Sequence, residues 1–114
     1  MTPLLEHLME IADKLGLPFE VGLYTATPAP QTYLVATPLT DVLDVFADNQ
    51  PSVEVEEVRL ALFTRGNYLD LRSRITRALL DTGLTITART YVGFEADTGF
   101  HHYAIDVATH HTYT

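Results

Sequence analysis

Val53-Glu54-Val55-Glu56-Glu57-Val58-Arg59-Leu60-Ala61-Leu62-Phe63-Thr64 is the stretch from which the rest of the chain can be placed. Val53, Val55, Glu57, Arg59, Ala61 and Phe63 fall on one parity, and Glu54, Glu56, Val58, Leu60, Leu62 and Thr64 on the other. Period-two alternation of this kind marks a strand with two unlike faces. The apolar parity changes near residue 57, which predicts a bulge or a strand that passes from one cover to another.

Gly66-Asn67 follows and opens a helix: Asn67 is the N-cap, Asp70 stands third as in a capping box, and Leu71, Ile75, Ala78 and Leu79 form the apolar stripe. Gly83 is the stop, and Arg72, Arg74 and Arg77 take other positions on the helix. Beyond it, residues 84–92 and 100–109 alternate with strand period around Glu95-Ala96-Asp97-Thr98-Gly99, a hairpin signature. Residues 109–114 are expected to be flexible.

Upstream, Thr2 and Pro3 open a first helix with Leu4, Leu5, Leu8, Ile11, Ala12 and Leu15 at helical spacing, and Gly16 ends it. Residues 19–24 read as a short strand, residues 25–30 with two prolines as a loop, and residues 33–37 as a strand that Pro38 ends. Residues 39–52 are expected to form an ordered but irregular loop. The fold class is α+β, a mainly antiparallel sheet with two helices packed on one face, in a single domain spanning residues 1–114.

Composition narrows the function. A chain of 114 residues can bury a core of its own without cross-links, and 46% hydrophobic with 19% charged residues is ordinary for a globular domain. It has no cysteine, which excludes disulfides, thiolate metal sites and a cysteine nucleophile. The net charge of −8 would repel a free monomer from nucleic-acid phosphates. The start carries no positive charge ahead of an apolar run, so it is not read as a secretory signal, and no membrane span is expected. Residues 1–57 hold ten acids against Lys14 alone, a net of −9, while residues 58–114 hold six arginines against five acids. Such a split allows unlike faces of two copies to pair.

No catalytic set emerges. His102 and His110 share a strand face but stand about 26 Å apart at ~3.3 Å per residue, too far for one metal ion. Adjacent histidines point to opposite faces, and Asp106 faces as His102 does, yet about 13 Å along the strand. Glu54, Glu56 and Glu57 read as charges guarding a sheet edge. No nucleotide loop, nucleophile elbow or zinc helix is present. The expectation is therefore a chain without cofactor, metal or catalysis.

Ala47-Asp48-Asn49-Gln50-Pro51, the strand ending Leu62-Phe63-Thr64-Arg65-Gly66-Asn67, the helix ending Asp81-Thr82-Gly83-Leu84, and Glu95-Ala96-Asp97-Thr98-Gly99-Phe100-His101-His102-Tyr103 together resemble the tail-completion, or head-to-tail joining, proteins of long-tailed bacteriophages. The resemblance implies a tail-terminator-like virion protein, made in the host cytoplasm, that forms a ring of six at the phage neck. It implies partners in the tail tube and the head connector, with DNA passing through the ring without sequence-specific binding. The alternative is a small acidic binding module or inhibitor of a host protein. In the ring reading the candidate interface residues are Phe46, Asp48, Asn49, Arg65, Arg74 and Arg77, with Phe46 an exposed anchor and Arg74 and Arg77 paired on one helix face. Deleting residues 43–50 is expected to leave a folded domain that does not assemble.

Overall fold

A computed structural model describes residues 3–25, 27–44 and 52–113, and the side chains of these except 41–44, 52 and 111–113. Phe46, Asp48 and Asn49 lie outside the described residues. The element order is α1 (Leu4–Leu15), β1 (Phe19–Val21), β2 (Thr32–Asp44), β3 (Ser52–Thr64), α2 (Tyr68–Asp81), β4 (Thr85–Glu95) and β5 (Phe100–Tyr113). The strands form one five-stranded sheet in the order β1-β2-β3-β5-β4. Among the described strands only β1 and β2 run parallel; every other pair is antiparallel.

The helices end as their residue types dictate. Pro3 is the residue before α1 and its carbonyl accepts from Glu6 and His7 N–H, so proline takes the cap position rather than the first helical one. Gly16, at φ +71°, turns the chain out of α1 in a conformation that costs a residue with a Cβ more. At α2, Asn67 Oδ1 accepts from Asp70 N–H at 3.2 Å, and Leu71, Ile75, Ala78 and Leu79 face inward.

Both helices cover one face of the sheet. Leu4, Leu8, Ile11 and Ala12 of α1 and Ile75 and Leu79 of α2 join Leu34, Ala36, Val58, Leu60, Leu62, Tyr103, Ile105 and Val107 in one buried cluster. Each fully buried Leu, Ile or Val contributes roughly 1.5–3 kcal/mol. Thr64 is fully buried, and its hydroxyl is satisfied by Thr32 Oγ1 at 2.8 Å and by the N–H of Gly66.

The sheet outruns its helices. The cluster ends at Val58 and Val107, yet β2, β3 and β5 pair onward to Asp44, Ser52 and Tyr113. The molecule is accordingly long, 56 × 24 × 22 Å. Two expectations are corrected here. Pro38 does not end β2, because β1 stops opposite Ala36 and leaves that side of β2 as an edge among the described strands, where a missing N–H costs no ladder bond. Leu39–Asp44 and Ser52 are strand, not irregular loop, so a deletion of residues 43–50 would cut into β2. Residues 109–113 pair with β3 and carry β5 past the predicted strand.

The parity change at residue 57 also acquires its cause. The β3–β5 register runs unbroken, and the slip lies in β2, between Pro38 and Thr40. Above it, β3 points its apolar residues at the helices; below it, no helix lies on the sheet among the described residues, and Val53 and Val55 face the other way from Glu54 and Glu56.

Candidate functional site

The sheet face opposite the helices is built from side chains whose register makes them neighbours. Tyr33, Phe63 and His102 stand directly across from one another on β2, β3 and β5. Their rings stack in a row, with centroids 4.9 Å apart for Tyr33–Phe63 and 4.3 Å for Phe63–His102. Tyr24 extends the row at 4.6 Å from Tyr33, and Phe100 and Tyr33 meet as a T-shaped pair with centroids 5.4 Å apart. Tyr24, Tyr33, Phe63 and His102, with Val35 and Arg59, line a shallow open cavity of about 270 Å³.

Electrostatics follow burial. Desolvation raises the Tyr33 phenol above its usual range, reinforced by Glu95 and opposed by Arg65. Desolvation lowers His102 below the ordinary imidazole value, so the row favours a neutral ring. At the cavity rim Arg59 holds Asp106, and the hydrogen bond to that carboxylate, then its charge, raises the guanidinium further. Thr87 Oγ1 donates to Glu57 Oε2 at 2.9 Å beside this pair.

A second aromatic group lies on the helix side, between α2 and the β4 edge. Tyr68 of α2 meets Tyr91 and His101, each with centroids 5.0 Å away, and Phe94 packs 4.9 Å from His101. Tyr91 Oη and His101 Nδ1 share a hydrogen bond of 3.0 Å. The Arg72 guanidinium lies 5.9 Å from the Tyr103 ring centroid, and its Nε is buried with no hydrogen-bond partner among the described residues.

The arginines expected at an interface separate into two places. Arg74 and Arg77 line a groove with Leu15, Ala78 and Asp81, where the end of α1 meets α2; Arg74 reaches Asp70 at 3.9 Å. Arg65 is not with them. Its guanidinium lies 4.2 Å over the Phe100 ring and its Nε donates to the Thr98 carbonyl, so it braces the β4–β5 turn. His101 and His102 are divided between the two faces, as strand geometry requires. Sequence reading missed the Tyr33–Phe63–His102 row. Its signal was three aromatic rings on strands, but only the register aligns them.

Chemically, both surfaces offer ring faces, guanidinium groups and hydroxyls that suit contact with another macromolecule. Among the described residues no three His, Asp or Glu side chains come together to hold a metal ion, and no helix is long and apolar enough to cross a membrane.

No family model matches the chain, and no curated protein matches it. Among solved structures it is similar to a chain in the virion of a native gene transfer agent particle, with a TM-score of 0.60 at 10% identity. The likeness covers 96% of this chain and 91% of that one, so the two share their architecture almost end to end. What the comparison yields is a fold, one that is also used by a component of a virion particle.

Proposed function

We propose that the protein is a structural virion subunit which packs against copies of itself as a ring at the neck, completes the tail and joins it to the head connector. The observation that carries this reading is the fold shared over 96% of the chain with a virion component, together with the sequence resemblance to tail-completion proteins. The sheet face and the strand extension that no helix covers among the described residues support it, since surfaces of this kind are closed by neighbours in an assembly. In this reading the chain performs no chemistry, and DNA slides through a bore kept acidic by the net charge of −8.

The test mixes the purified protein with the tail-tube and head-connector proteins of the same genome and follows mass by sedimentation and shape by negative-stain microscopy. Annular particles and co-sedimentation with both partners are expected. A protein that stays monomeric in every mixture, and instead retrieves a single host protein, would leave the binding-module reading in its place. A strongly positive bore in an assembled ring would defeat the sliding argument.

A further inference from the structure

The outer side of β4 is a free edge of 11 residues among the described strands. Long open edges invite another chain. Arg89, Tyr91 and Phe94 stand across the ladder from Ile105, Tyr103 and His101, which places them on the helix side, since directly opposed residues share a face. Tyr68 and Arg72 of α2 border the same strip through their contacts with Tyr91 and Tyr103. Phe94 is 55% exposed and Tyr91 42%, and neither Arg72 nor Arg89 pairs with a carboxylate among the described residues. The strip is thus apolar, cationic and open.

The far end of the molecule is its complement. Residues 40–44, 52–57 and 108–113 form the three-stranded extension past the helices. It contains Asp41, Asp44, Glu54, Glu56 and Glu57 and no lysine or arginine. At ~3.3 Å per residue it reaches about 20 Å beyond Val58. Val53 and Val55 on it are only partly buried.

We infer that the acidic strand extension of one copy seats on the Arg72–Arg89–Phe94 strip of the next. The inference rests on the ring reading and specifies the contact that builds it. Two different surfaces meet, so the contact is heterologous and repeats from copy to copy until the rotation closes. Opposite charge sets the register and excludes pairing of like ends. Arginine beside aromatic rings also suits single-stranded nucleic acid, but the net charge of −8 opposes that partner.

The contact is tested by charge reversal on either side: Glu54→Arg with Glu56→Arg, and Arg72→Glu with Arg89→Glu. Assembly is read by native mass spectrometry and microscopy with the tail-tube protein present. Each double variant alone is expected to need roughly tenfold more protein than wild type to assemble, because the reversed side chains then face charges of their own sign across every contact. An equimolar mixture is expected to recover assembly in alternating order, since the reversed positions 54 and 56 then meet the reversed strip and the native extension meets the native strip. Thermal unfolding by circular dichroism checks that the variants fold. Where one does not, Phe94→Asp and Arg89→Gln replace it, with the same loss of assembly expected.

Double variants that assemble like wild type, or folded variants whose mixture stays apart while wild type forms rings, would overturn this contact and leave the ring reading intact. Wild type that forms no ring in any mixture would remove both. Binding of a labelled single-stranded oligonucleotide that Arg72→Glu with Arg89→Glu abolishes would reassign the strip to nucleic acid.

Discussion

Arg59 on β3 lies directly across the ladder from Asp106 on β5 and grips both of its carboxylate oxygens, Nε to Oδ1 at 2.8 Å and Nη2 to Oδ2 at 3.1 Å. The two partners are unequal, because the Arg59 side chain is 49% exposed and that of Asp106 only 12%. Removing the arginine strands a nearly buried carboxylate, whereas removing the charge of Asp106 leaves a guanidinium that water can solvate. Arg59→Ala is therefore expected to lower the urea midpoint at neutral pH more than Asp106→Asn does. Equal shifts would show that the carboxylate is reached by solvent.

Ile75 and Leu79 are fully buried where α2 meets the sheet, while Leu71 is only partly covered. Alanine at Ile75 or Leu79 should cost about 2–5 kcal/mol in equilibrium unfolding. Leu71→Ala should cost less than either, since part of its side chain keeps its water.

Stability should fall in acid through His102. Burial holds its folded pKa below the ordinary 6.5, so the unfolded chain binds the proton more readily. The contribution is whole above 6.5 and is lost as pH falls from there through the lower folded value. His102→Phe keeps a ring against Phe63 and removes the titration, so its urea midpoint should decline less than wild type's between neutral pH and about pH 5. Parallel declines would assign the pH dependence to other groups.

Tyr33 and Phe63 stack as a cross-strand pair with centroids 4.9 Å apart. A double-mutant cycle with alanine at both positions should return a coupling of about 0.5–1.5 kcal/mol. Additive losses would mean that the rings share area but no specific interaction.

Asn67→Ala should cost about 1 kcal/mol by leaving the Asp70 N–H without its side-chain acceptor. Asn67→Asp should restore it, because aspartate caps through the same oxygen.

Local chemistry was the legible part of the sequence. Asn67 three residues before Asp70, Gly16 after an apolar helical repeat, and Asp97-Thr98-Gly99 between two alternating runs each settle within a few residues of themselves. Pairing partners were not legible. Pro38 reads as a stop in isolation and passes through a strand only because β1, a separate element, ends opposite Ala36. The same holds for the surfaces. Phe63 and His102 are 39 positions apart in sequence and stack only because the β3–β5 register aligns them. Arg65 looks like a member of the α2 basic group until the β4–β5 turn closes beneath it.

The unbroken β3–β5 ladder has a mechanical consequence. Thirteen residue pairs run without a slip from the densely packed Thr64 end to Ser52. A load applied to the far tip along the strand direction meets no hinge; it shears the whole series of rungs together instead of opening them one after another. Tension at the tip is carried straight to the interior beneath the two helices, and the subunit answers a pull as a stiff beam.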